Sequence, residues 1–261
     1  MLAKISFLSL LSMYLPLAAE TASVREMFTD RPDVTESAYS VAPGMFQLEM
    51  SFFDSEKDYS NSGRLDSWVY GHINFKYGLA QNTDLQIVFD TQTVLQSEGM
   101  DKNNFLSGFG DITLRLKQNL WGNDQGKTAL SIMPFVSIPT GMETSADAWA
   151  GGVVVPFAAA INDRLSLGLM GQVDCVNDVE TSGHDLEFLA SAALGISLSD
   201  RWGCYMEIIT RLGQDSLTQL RAAGGFTFAV TDNLVLDAGA RFGLNRAAPD
   251  LGIFTGMSFR F

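Results

Sequence analysis

The sequence predicts an all-β fold, a transmembrane antiparallel up-and-down β-barrel of about 12 strands with short periplasmic turns and longer external loops. Three observations predict it. Segments of about ten residues alternate apolar with polar or small side chains, the period of a strand with two different faces. The connections alternate in length, tight turns rich in Asn, Asp and Gly against longer polar loops. The chain carries 24 glycines and 18 phenylalanines but only 18% charged residues, where a soluble domain of this size carries about 25%.

Residues 1–19 read as a signal peptide. Lys4 is the positive start, Ile5 to Leu15 an apolar run too short to span a bilayer, and Ala18-Ala19 the small cleavage site before Glu20. No later stretch approaches the ~18 consecutive apolar residues of a transmembrane helix. The expected division is then a periplasmic N-terminal segment, 20–43, and a barrel, 44–261. A formal charge of −13 argues against a nucleic-acid partner, whose phosphates would repel it.

The N-terminal segment contains "TDRPDVTES". Asp30, Arg31 and Asp33 could pair locally around Pro32, or the segment could fold up into the lumen as a plug. Both readings stay open on the sequence.

The first strand puts Phe46, Leu48, Met50 and Phe52 on one face and Gln47, Glu49 and Ser51 on the other. In the second, Val69, Ile73, Phe75 and Tyr77 are expected outward, opposite Trp68, Tyr70, His72, Asn74 and Lys76. Leu85, Ile87 and Phe89 then oppose Gln86, Val88 and Asp90, and Ile112, Leu114 and Leu116 oppose Asp111, Thr113, Arg115 and Lys117. Leu130, Ile132, Val136 and Ile138 mark the next strand, followed by "WAGGVVVPFAAA", whose faces alternation does not fix. Outward positions continue with Leu165, Leu167 and Leu169; Leu186, Phe188 and Leu194; Met206 and Ile208; Phe226 and Phe228; and Leu236 and Phe242. The chain ends in "GIFTGMSFRF", with Ile253, Thr255, Met257, Phe259 and Phe261 against Phe254, Gly256, Ser258 and Arg260. An even strand number leaves both termini on one side.

Turns sit at "AQNTD", "GNDQGK", "INDR", "SDR" and "TDN"; longer loops include "DSEKDYSNSGR", "QSEGMDKNNFLSG" and "TGMETSADA". Pro134 and Pro156 each remove a ladder donor and are expected at bulges or near a rim. Cys175 and Cys204 fall near opposite ends of their strands, ~20 Å apart and beyond the ~7 Å reach of a disulfide, so two free thiols are expected.

The lumen set predicted from alternation contains Glu49, Lys76, Asp90, Asp111, Arg115, Lys117, Asp174, Glu187, Glu207, Arg211, Arg221, Asp237, Arg241 and Arg260, with acids and bases in balance. Such a set suits either cross-barrel pairing in a plugged interior or a charged, selective pore. An apolar lumen set, Trp68, Tyr70, Met133, Phe135, Met170 and Phe254, either guides aromatic solutes or fills a narrow barrel. The negative charge is then expected in the N-terminal segment, with Glu36, and in outer loops. There Asp54, Glu56, Asp58, Glu98, Glu143, Asp147, Asp178 and Glu180 would either reach lipopolysaccharide through divalent cations or form a solvated acidic rim that keeps the loops hydrated. His72 and His184 suggest no catalytic, cofactor-binding or metal residues.

Four stretches, "FTDRPDVTESAYSVAPGMFQLE", "GFGDITLRLKQNLWGNDQG", "PFVSIPTG" and "GLNRAAPDLGIFTG", resemble the family named for a meta-pathway of phenol degradation, whose members are called transporters. The resemblance covers the mature chain. It implies a barrel in the outer membrane of a Gram-negative (diderm) bacterium, with Phe261 as the signal read by the barrel-assembly machinery. The resemblance supplies no substrate; the function expected is a passive channel for small solutes, aromatic or phenolic compounds among them. The alternative is a closed structural or adhesive barrel working through its external loops. Either way lipid and lipopolysaccharide are expected partners.

Overall fold

The computed structural model describes residues 25–60, 63–99, 103–124, 126–146, 148–177, 184–213 and 217–261. The signal peptide, Asp147, Asp178 and Glu180 lie outside them. The strands are β1 (Phe46–Ser60), β2 (Gly63–Ala80), β3 (Thr83–Gly99), β4 (Asn103–Gly108), β5 (Ile112–Trp121), β6 (Thr128–Ile138) and β7 (Ala150–Asn162). They continue as β8 (Leu165–Asn177), β9 (His184–Ser197), β10 (Trp202–Gly213), β11 (Gln219–Thr231), β12 (Leu234–Gly243) and β13 (Leu251–Arg260).

Apart from β4, each strand pairs antiparallel with the wall strands that precede and follow it in the chain, and β13 returns to β1 with Leu48 opposite Phe259 and Met50 opposite Met257. Closure matters because an open edge would leave peptide groups unbonded in lipid. Twelve strands form the wall. The thirteenth, β4, is an addition: it pairs with the outer part of β3, Thr93 to Glu98, while β5 pairs with the inner part, Thr83 to Phe89.

Alternation sorts the side chains as the pattern demands. Gln47, Glu49 and Ser51 are each 1% exposed, whereas Phe46 and Phe52 on the other face are 37% and 46% exposed. The polar face looks into the lumen and the apolar face outward. In β7 the faces left open are now fixed: Val154 and Pro156 are buried and Val155 is exposed. At the periplasmic end Phe46 stacks on Phe75 and Phe261, with ring centroids 5.5 and 5.7 Å apart. Trp202 and Phe228, 4.7 Å apart, extend this aromatic belt.

Four expectations need correction. "DSEKDYSNSGR" is mostly strand, because β1 and β2 stay in register from Asp54 opposite Val69 to Ser60 opposite Gly63. Asp54 and Glu56 therefore sit on β1, paired with Arg241 and Arg221, and are not external-loop acids.

Trp68 and Tyr70 do not line the lumen. Gly71 has a φ of 65° and the β1–β13 register shifts between Ser51 and Phe53, so the faces of β1 and β2 exchange at that level. His72 faces inward below the shift. Above it Val69, opposite Asp54, is the inward residue, and Tyr70 lies outside with its ring 5.7 Å from Phe53. Trp68 shares the outer face with Ser55, which is opposite the exposed Ile253.

Neither proline sits at a bulge. Pro134 pairs with Val153 and Pro156 with Met170, and the register of β6 with β7 is the same on both sides of them. The ladder loses its pairs between Leu130–Phe157 and Met133–Val154 on the β7 side, and between Arg115–Phe135 and Gln118–Ile132 on the β5 side. Finally, the lumen is not electrically balanced, for the reason given below. Cys175 and Cys204 are free.

Candidate functional site: the lumen and its N-terminal segment

Residues 25–43 run inside the barrel and bond to inward-facing side chains around its whole circumference. Polar groups on facing strands meet them one by one, because buried peptide groups away from a sheet need side-chain partners. Glu49 accepts the N–H of Asp30 and of Arg31, at 3.0 and 2.9 Å. Glu207 accepts the N–H of Val34 at 3.0 Å, the N–H of Thr35 at 2.8 Å and the Thr35 hydroxyl at 2.6 Å. Asn119 and Ser131 donate to the Ala38 carbonyl, Asn123 accepts from Ser40 N–H, and Asp84 from Val41 N–H.

Charge locks the same segment. Asp30 receives Lys76 at 2.5 Å and Lys117 at 2.8 Å, and Lys76 also reaches Glu49. Burial would raise the Asp30 carboxyl, but Lys117 and Lys76 hold it well below the usual carboxylate range. Arg31 grips Asp237 with two parallel bonds, 3.0 and 2.6 Å, and donates to Ser51 at 2.5 Å. Gly256 leaves the room for this guanidinium, since a Cβ there would come 2.5 Å from Arg31 Nη2. Glu36 pairs with Arg115 at 2.6 Å.

The remaining predicted site residues are distributed as follows. His72 pairs with Asp90 at 2.6 Å, Arg221 with Glu56, Arg241 with Asp54, and Glu187 with Arg211 at 3.0 Å. Phe135 and Val34 pack on an inner apolar cluster that includes Met133, Met170, Tyr205 and Phe254. Asp111 belongs instead to the mouth, where it accepts from Ser145 and from the N–H of Ala146.

The lumen thus has a charged wall, mainly β1 to β5, and an apolar one, mainly β6 to β10. Arg31, Lys76, Arg115, Lys117, Arg211, Arg221 and Arg241 each have a carboxylate within ion-pair distance. Asp33, Asp84, Asp90, Asp174 and Glu207 have no lysine or arginine partner among the described residues. An excess of negative charge results. Alternation does not reveal it, because Asp33 lies outside the strands, Asp54 and Glu56 sit in a stretch polar on both faces, and Asp84 adjoins a turn.

Two cavities flank the segment. The outer one, about 270 Å³, is lined by Val69, His72, Asp90, Arg115, Arg241 and Phe254 among others. The periplasmic one, about 600 Å³, is walled mostly by small residues from Ala158–Ala160, Gly168, Ala193 and Gly203. Arg31, Pro32, Asp33 and Glu36 line both, so one thickness of chain separates them.

Comparisons with known proteins agree with this architecture. A family model described as "Putative MetA-pathway of phenol degradation" matches residues 29–261. No curated protein matches the chain. An outer membrane channel from Pseudomonas putida F1 is similar in structure, with TM-score 0.67 and 14% identity over 88% of this chain and 100% of that one. The KdgM porin in complex with disordered oligogalacturonate gives TM-score 0.54 and 8% identity over 82% and 99%. The β domain of the Bordetella autotransporter BrkA gives TM-score 0.54 and 12% identity over 84% and 100%. At these identities the likeness is one of fold.

Proposed function

The chain belongs to the family described as "Putative MetA-pathway of phenol degradation", and from that premise we propose a passive outer-membrane channel for small solutes, aromatic and phenolic compounds among them. The observation that carries this reading is the pair of cavities separated only by residues 31–36. Moving that short stretch would join them into a continuous path. A solute with a ring and a hydroxyl would meet an apolar wall at Met133, Met170 and Phe254 and polar groups at His72 and Asn74.

Planar-bilayer recording of the purified protein tests the reading. Stepwise conductance is expected, larger when residues 31–36 are exchanged for a glycine-serine linker, and phenol added to one side should reduce it. Silence from both proteins would overturn it. The closed structural or adhesive barrel has one observation in its favour, the dense bonding of residues 30–41 to the wall, and predicts that silence.

Lipid covers the apolar outer face; lipopolysaccharide and the assembly machinery are proposed partners. Phe261 stacks on Phe259 at 5.4 Å, and its N–H donates to the Phe46 carbonyl at 2.9 Å, so it finishes the β1–β13 seam as well as exposing a ring. Phe261→Asp is expected to lower the inserted fraction, read by heat-modifiable gel mobility, while export proceeds normally. Wild-type mobility in that variant would remove Phe261 from the assembly signal.

A further inference from the structure

We propose that the lumen passes small cations and neutral solutes in preference to anions, and that Asp33, on the partition between the two cavities, sets the preference. The proposal deepens the channel reading and rests on it.

The first ground is the charge left over after pairing. Among the described residues the lumen lysines and arginines pair with carboxylates except Arg260, which donates to Asn233 and the Arg25 carbonyl at the periplasmic end, while five acids, Asp33, Asp90, Asp174, Asp84 and Glu207, have no lysine or arginine within ion-pair distance. A narrow path with low-dielectric walls focuses that field and repels anions. The second ground is independent of formal charge. Asn74 is 6% exposed and lines the outer cavity, yet its Oδ1 has no hydrogen-bond donor. It is an acceptor on a residue of the cavity lining, left for a cation or a donor group to satisfy. Arg115 Nε and Arg241 Nε also lack hydrogen bonds, but each guanidinium already has its carboxylate.

Asp33 is singled out by position. It lines both cavities, so a permeating solute must pass it, whereas Asp90 lines only the outer one. Burial pushes its carboxyl well above the ordinary value, and Glu207 facing it from β10 adds to the shift, as do Asp30 and Glu36 on its own segment. Tyr205 of β10 stands beside it as well, and Arg241 of β12, Asp54 of β1, His72 of β2, Asp90 of β3 and Arg115 of β5 share its outer cavity. A carboxyl raised in this way gains charge as pH rises, so cation preference should strengthen toward alkaline pH.

The test is the reversal potential of the full-length protein in planar bilayers under a potassium chloride gradient, at about pH 6 and about pH 9. The expected result is a potential of cation sign that grows with pH. Asp33→Asn should roughly halve the potassium-to-chloride permeability ratio and flatten its pH dependence. Asp33→Glu should retain both, separating charge from fit. Anion preference, a pH-independent potential in the wild type, or an unchanged ratio in Asp33→Asn would each overturn the proposal while leaving the channel intact. Silence of all three proteins would instead remove the channel reading, and the proposal with it.

Discussion

Arg31→Met is expected to release the N-terminal segment at a cost of about 3–5 kcal/mol, the range for breaking one side of a buried ion pair. The Asp237 side chain is 1% exposed and both of its oxygens are bound by Arg31. Methionine keeps the volume but abandons that carboxylate in the wall of β12. Arg31→Lys should recover only part of the loss, because a point charge cannot reproduce the two parallel bonds. Pairing the change with Asp237→Leu should cost less than Arg31→Met alone, since it removes both charges together. Protease sensitivity of residues 25–43 in proteoliposomes and single-channel conductance read the effect from two sides: the single variant should be cut faster and conduct more. A segment still protected in Arg31→Met would show that the bonds of Glu49 and Glu207 hold it alone.

The same contact shows what a sequence can and cannot disclose here. Leu114 and Arg115 could be assigned to opposite faces from their neighbours alone, because a strand's period of two is a local property. Nothing local tells Arg31 that its partner lies 206 residues away on β12, or Val34 that Glu207 accepts its N–H from 173 residues on. Segment and wall meet only after the sheet has closed. The polar stretch from Asp54 to Arg64 failed for a different reason. Both of its faces are hydrophilic, so no alternation marks it as strand, although Asp54 to Ser60 pair residue by residue with Val69 to Gly63. One clue was available: a glycine inside the alternating run "SWVYGHINF" marks a bulge or bend, and at Gly71 the inward set changes from His72 to Val69. Reading that glycine would have moved Trp68 and Tyr70 outside.

Leu114→Arg tests the face assignment where no bulge intervenes. Leu114 lies opposite Ile87 of β3 and Val136 of β6, and the three form an outward apolar rung. The rung is inside the band bounded at the periplasmic end by Trp121 of the same strand. A guanidinium placed there must leave lipid or drag water into it, at about 2–4 kcal/mol near the bilayer midplane. Arg115→Gln, one residue along, should leave the barrel assembled. Its neighbours Gln86 and Phe135 face the lumen with it, and glutamine can still donate to Glu36. It gives up the charge, however, so the segment should loosen and conductance rise, an effect Leu114→Arg should not show. Urea midpoints in lipid vesicles and bilayer recordings of the two variants separate the cases. Equal destabilisation by both would mean that β5 is shifted by one residue against its neighbours, because such a slip exchanges every inward side chain for an outward one.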